Sequence, residues 1–234
     1  LEKGTSGISV LPDEIPAKQG FQTLDEKFGF GSDAPALVVI EGDVGSDAFV
    51  TALTTLEQSI IDDNGLQAPQ VRIEPSVNLA SFTSNIPGDP QNQSALNTIR
   101  RIRADLIPDA FIGVPEGSYT AYVGGSSAEV VDSVKVTDDY LPIVFASVLS
   151  LSFILLLIAF RSLVISIASI VMNLLSVAAA YGLVVLVFQK GFLIDVFGFE
   201  QVDQIEFWLP LFMFSILFGL SMDYHVFMLS RIKE

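Results

Sequence analysis

Cysteine is absent and histidine occurs once in 234 residues. Without thiols there is no disulfide framework, no cysteine nucleophile and no thiolate metal site. A single histidine argues against a His-rich metal cluster and against a Ser/His triad. Positive charge is scarce as well: 12 Lys and Arg stand against 27 Asp and Glu, a formal net charge of −15. That balance argues against a nucleic-acid partner, because binding phosphates needs a basic face. Charged residues make up only 17% of the chain, where an ordinary soluble domain carries about 25%. What is present instead is apolar. Half of the residues are hydrophobic, 18 are Phe, and mean hydropathy is +0.55. That much apolar surface excludes a disordered chain and points away from an ordinary soluble domain. No initiator Met and no signal-peptide pattern opens the sequence, so the expectation is an internal piece of a longer protein.

The charge is distributed unevenly. Residues 1–139 hold 8 basic and 21 acidic side chains, and residues 140–234 hold 4 and 6. This predicts two regions, a polar acidic domain over 1–139 and an all-α transmembrane region over 140–234. Tyr140 to Phe160 contains no charge; as a helix it would be about 31 Å long, close to a bilayer core of about 30 Å. Residues 162–189 are uncharged too, and 207–230 are interrupted only by Asp223 and His225. Spans are therefore expected near 140–160, 162–189 and 207–230. Buried soluble helices fit poorly, since soluble helices keep a polar face and Leu149 to Phe160 has almost none. Arg161 and Ser162 alone separate the first two spans, which predicts a tight helical hairpin. The positive-inside rule puts Arg161, Arg231 and Lys233 in the cytoplasm. The acidic 190–206 loop and residues 1–139 then lie outside, with Tyr140 and Trp208 near the outer interface.

The outer domain reads as β-α-β-β-α-β. Strands are expected at 36–41, 70–74, 77–83 and 119–123. Helices are expected over 46–62, burying Phe49, Leu53, Leu56 and Ile60, and after Asp89-Pro90, burying Leu96, Ile99, Ile102 and Leu106. A short helix is expected around 20–28. Asp89 reads as an N-cap with Pro90 at the first helical position. Ser126-Ser-Ala-Glu129 reads as a capping box opening the helix that leads to the membrane. This order is the ferredoxin-like, split βαβ arrangement, an α+β fold. Gly124-Gly125 reads as a tight strand-to-helix turn rather than a phosphate loop, because the P-loop spacing and its Lys are missing. Arg100, Arg101 and Arg103 form the one basic cluster, read as a solvated helix face, with an acidic lipid headgroup as the rival reading.

Asp223 carries the chemistry. It lies about 12 Å along a helix from Arg231, inside the bilayer, where an ionised carboxylate costs at least about 2.5–3.5 kcal/mol. Burial raises a carboxyl pKa toward neutrality, which suits a group that takes up and releases protons. The competing reading is a protonated Asp223 that only hydrogen-bonds a neighbouring helix. Tyr224 can donate to a carboxylate on a facing helix, and Gly219, one turn earlier, permits close approach of such a helix. His225 can titrate near neutral pH, but at i, i+2 it does not face Asp223. Asn173 in the second span can hydrogen-bond across helices. Nothing in the sequence asks for a cofactor or a metal.

Phe218-Gly-Leu-Ser-Met-Asp-Tyr-His-Val-Phe-Met-Leu-Ser-Arg-Ile-Lys-Glu234 resembles the Asp-Tyr span of MmpL-type transporters of the RND superfamily. Asn173-Leu-Leu-Ser-Val-Ala-Ala-Ala-Tyr-Gly182, Val187-Phe-Gln-Lys-Gly191, Phe160-Arg-Ser162 and Val123-Gly-Gly125 with Ala128 and Asp132 resemble the preceding parts of that family. The resemblance implies a multi-pass bacterial inner-membrane exporter that uses proton influx to move lipids or other hydrophobic compounds. It implies a proton relay at Asp223 and Tyr224, with a porter domain from the C-terminal half. Its partners would be membrane lipids, a hydrophobic substrate and the missing half of the same polypeptide. His225 and Ser166 depart from the residues usual at their positions. Two other classes compete. An intramembrane aspartyl protease needs two facing aspartates, and only Asp223 qualifies. A non-transporting sensor or protein-export accessory could share the fold.

Overall fold

The computed structural model describes residues 2–28, 34–193, 196, 201, 202 and 204–233, with side chains omitted at 9, 28 and 222–233. Two compact units divide it, one formed by residues 4–133 and the other by 1–3 with 134–234.

In the first unit a helix α1 (Pro16–Phe28) precedes strand β1 (Ala36–Gly42), helix α2 (Asp47–Ile61), strands β2 (Gln70–Glu74) and β3 (Leu79–Ser84), helix α3 (Gln93–Arg101) and strand β4 (Tyr119–Gly124). The four strands form one sheet in the order β2-β3-β1-β4, and every neighbouring pair is antiparallel. Alternation decides which face is covered. Val38 and Ile40 on β1 pair with Phe82 and Ala80 on β3, and all four are buried. Phe49, Leu53, Leu56 and Ile60 form the buried stripe of α2, and Leu96 and Ile99 that of α3.

Several local expectations shift for physical reasons. The second hairpin strand begins at Leu79, because Pro75–Val77 forms a 3₁₀ turn that ends at Asn78 in the left-handed region (φ 53°). Asp89 does not cap α3. Its Oδ1 accepts from the Gln91 N–H at 2.9 Å, two residues on, and Asn92 caps the helix by accepting from the Ala95 N–H at 2.7 Å. Leu106 is only half-buried, and Ile107 takes its place in the core. The cause is a π turn over Ile102–Leu106, which moves the next inward position from i+4 to i+5. The expected capping box does not form: Glu129 N–H donates to the Gly125 carbonyl at 3.0 Å, and the Ser126 hydroxyl has no partner among the described residues. Gly125 is the turn residue that matters. Its φ is +106°, and a Cβ there would sit 2.2 Å from the Pro35 carbonyl oxygen.

The arginines of the cluster are partly exposed, and each bonds a side chain of the same unit. Arg101 holds Asp63 with two bonds, Nε to Oδ2 at 2.7 Å and Nη2 to Oδ1 at 2.6 Å. Arg103 bonds Asp132 and also donates to the Val123 carbonyl at 2.6 Å. Arg100 reaches Asn97 at 2.8 Å. Burial pushes the Asp63 carboxyl up, but the Arg101 bonds and the Gly65 N–H outweigh it and hold it below the usual carboxylate range.

The second unit contains helices α4 (Ser126–Phe160, which the unit division crosses), α5 (Leu163–Val184, continued by a π turn over Val185–Gln189) and α6 (Leu209–Lys233). Ser126–Phe160 and Leu163–Gln189 are long and apolar enough to cross a membrane, and only 17% and 11% of their most apolar windows are buried. Exposed apolar side chains run along both, among them Leu151, Leu155, Ile158, Val164, Val171 and Leu175. Such a surface exceeds what a soluble monomer leaves open. Arg161 closes α4 in the left-handed region (φ 52°), its N–H returning to Leu157 O at 2.8 Å. Ser162 then caps α5 by accepting from the Ile165 N–H at 3.5 Å.

Asp63 and Gly125 give two tests of the first unit. The Asp63 carboxyl is depressed, so its contribution is fully present above the unfolded value near 3.8 and is lost as pH falls through its lower folded value. Asp63→Asn should remove this acid-limb dependence from a chemical-denaturation series. It should also lower stability at neutral pH by about 1–2 kcal/mol, because Arg101 is partly solvated. Gly125→Ala should lower the melting temperature, with a cost of at least about 1–3 kcal/mol from the left-handed φ alone.

Candidate functional site

The contact between α5 and α6 is built on aromatic rings. Phe145 of α4 stacks on Phe214 of α6 with centroids 3.9 Å apart, and Phe214 stacks on Phe218 one turn later at 5.3 Å. Val177 of α5 is buried against Phe214 and Phe218, with Val148, Leu149, Tyr181 and Leu217 packed around them. Two hydrogen bonds flank this cluster. Tyr181 donates its hydroxyl to the Pro210 carbonyl at one end. At the other end Ser221 Oγ donates to Asn173 Oδ1 at 2.5 Å. Residue numbers rise along α5 as they fall along α6, so the two helices run antiparallel.

Asn173 belongs to a stripe of inward polar residues on α5. Ser166, Ser169 and Asn173 are all buried, at successive helical turns, and Val177 continues the line. The Ser166 hydroxyl is satisfied by the Ser162 carbonyl at 3.0 Å. Asn173 is 1% exposed, and its Nδ2 amide finds no partner among the described residues. A buried amide with one of its two ends unmet is costly in apolar surroundings. The sequence marks Asn173 as a polar residue in a span, and the structure gives it a specific acceptor role toward Ser221.

The side chains of Asp223, Tyr224 and His225 lie outside the described residues. Their positions on the α6 backbone follow from a helix that runs unbroken through Lys233. Phe214, Phe218 and Ser221 define the face of α6 that meets α5. Position 225 is one turn beyond Ser221 on that face. Position 223 is about 200° around the axis from Ser221. It falls on the face of Phe212, Ile216 and Gly219, where Phe212 and Ile216 are exposed. Gly219 was expected to allow a close helix; among the described residues nothing lies within 4 Å of a Cβ placed there. The close contact on α6 is instead at Ser221, which the residue pattern alone did not single out; its signal was the spacing of Phe214, Phe218 and Ser221 on one helical face. No group of three His, Asp or Glu side chains among the described residues is placed to hold a metal.

An α+β unit followed by long, outwardly apolar helices defines the class of chain. It belongs to the MMPL family, which matches residues 78–234. It is similar to the mycolic acid-containing lipids exporter MmpL11 of Mycolicibacterium smegmatis, 32% identical over 220 residues, 92% of this chain and 22% of that protein. It is similar to the heme uptake protein MmpL11 of Mycobacterium tuberculosis, 31% identical over 99% of this chain and 24% of that one. The membrane protein YdfJ of Bacillus subtilis is 27% identical over 100% of this chain and 31% of its own length. The chain thus spans roughly a quarter of these relatives.

Tyr181→Phe should remove one inter-helix bond and leave the ring packing intact. The expected cost is about 0.6 kcal/mol and at most about 1.7 kcal/mol, read from detergent-induced unfolding of the full-length protein in bicelles.

Proposed function

We propose that this chain is part of a proton-driven, multi-pass exporter of lipids or other hydrophobic compounds in the bacterial inner membrane, not an enzyme. Residues 1–139 are its extracytoplasmic porter domain and 140–234 carry three spans, near 140–160, 162–189 and 207–230. The strand order β2-β3-β1-β4 with helices after β1 and β3 supports a ferredoxin-like porter fold. Membership of the MMPL family and the two long apolar helices support the spans. The basic turn at Arg161 supports a cytoplasmic hairpin.

The observation that carries the reading is a carboxylate, Asp223, within the apolar helix α6 of an MMPL-family chain. A carboxyl at such a depth favours its protonated form and ionises only when stabilised by a partner. Alternation between those states moves a proton, and Tyr224 can donate its hydroxyl to a carboxylate on a facing helix. The relay's other groups belong to the rest of the polypeptide. Two relatives bear names that refer to mycolic acid-containing lipids and to heme. Both are large, mostly apolar molecules, and substrates of that chemistry suit this chain.

Asp223→Asn in the full-length gene tests the reading, since Asn keeps size and hydrogen bonding but carries no proton. Export of envelope lipids should fall to background at normal membrane protein level, and uptake of heme assayed in the same strains fixes the direction of transport. Undiminished transport of both would make Asp223 structural. It would leave the non-transporting sensor or protein-export accessory as the better account.

A further inference from the structure

The Ser221–Asn173 bond is an odd element in an otherwise apolar contact. The stacked rings of Phe145, Phe214 and Phe218 and the buried Val177 already hold α6 against α5. An aliphatic pair at 173 and 221 would add to that cohesion, whereas Asn173 Nδ2 finds no partner among the described residues. Ring stacking tolerates small rotations and slides of a helix. A hydrogen bond of 2.5 Å between two short side chains does not. Polar pairs retained inside helix contacts are best attested as devices that set register.

The register set here fixes the rotation of the α6 backbone that continues beyond Ser221. Residue 223 is two positions beyond Ser221, about 3 Å further along the axis and about 200° around it. Holding Ser221 on Asn173 therefore holds position 223 on the opposite face, with Phe212, Ile216 and Gly219. The rings leave only small rotations open, and the helix passes any such rotation at Ser221 on to position 223. We infer that the Ser221–Asn173 hydrogen bond is a positioning contact that sets the rotation of α6 on α5, and with it the face of the helix on which position 223 lies. This rests on the reading of Asp223 as a relay group. Asn173 and Ser221 touch no substrate or proton; they act through the helix.

The test uses the full-length protein in native membranes at one fixed pH. Its readout is the rate at which dicyclohexylcarbodiimide, a reagent for protonated carboxyls in apolar surroundings, labels the peptide containing Asp223. Lipid export and membrane protein level are followed alongside. Ser221→Ala and Asn173→Ala should each change the labelling rate by roughly three- to fifteen-fold, the range of one inter-helix hydrogen bond. The double variant should change it by clearly less than the product of the two single changes, because both remove the same bond. Ser221→Thr, which keeps the hydroxyl, should label and export as the parent does. Tyr181→Phe breaks the other flanking bond and should leave labelling unchanged. Wild-type labelling in Ser221→Ala, or an equal change in Tyr181→Phe, would overturn the inference, the second by making it general loosening of the contact. Asp223→Asn fails independently: if it exports normally the relay reading falls, while the labelling comparison still decides whether Ser221 orients position 223.

Discussion

A polar side chain inside an apolar helix contact must find its partner on a neighbouring helix, and the packing of α5 on α6 is arranged around that requirement. Asn173 has no water to turn to, so Ser221 sits where its hydroxyl meets the amide oxygen. The small side chains at Ser166 and Ser169 extend the same line on α5, and small residues at such a line let backbones come close. Between this polar end and the Tyr181–Pro210 bond, the rings of Phe214 and Phe218 fill the space. Two directional bonds and one dispersion-bound cluster thus divide the work. The rings supply most of the contact area, and the bonds remove the freedom to slide and turn.

Legibility of the first unit followed how local each determinant is. Strand alternation and helix stripes are local, and β1, α2 and β4 stand close to where residue patterning places them. The large residues of the α2 stripe were readable, because four apolar residues at helical spacing have only one way to face a sheet, and buried Ala52 joins them. Leu106 shows the limit. The pattern Leu96, Ile99, Ile102 continues to 106 on an ideal helix, and only the π turn, which no residue in the segment announces, hands the place to Ile107. Asp89 and Asn92 show another limit. Both are good cap residues, and the choice between them depends on Asp89 being drawn into its own turn with Gln91. Ser126 satisfies every local rule for a capping box, yet Gly125, held against Pro35 with positive φ, takes over as the cap.

The candidate site was legible in composition and not in geometry. A carboxylate amid apolar residues announces itself in any sequence, and so does an Asn in a span. Which residue of α6 meets Asn173 is a tertiary fact, and it fell to Ser221, a residue type common in helices and inconspicuous by itself. Gly219 lies on the other face, beside exposed Phe212 and Ile216. One angular consideration separates the two: Ser221 follows Phe214 and Phe218 at helical spacing, and Gly219 does not.

The arginines show how the few cations of the first unit are used. In a region with 21 acidic and 8 basic side chains, Arg101 and Arg103 are used internally. One bonds Asp63 of the segment after α2; the other bonds Asp132 and the carbonyl at the end of β4. The guanidinium fork suits such multi-acceptor bonding, which a lysine could not reproduce. The cost of that use is borne by the surface, which is left acidic. An acidic surface repels anionic headgroups rather than gathering them. Apolar surface is exposed as well: Ile112 is 80% exposed near the ring pair Phe111–Tyr119. Because Arg101 and Arg103 are occupied by Asp63 and Asp132, these cations are engaged in holding the unit together rather than offered at its surface.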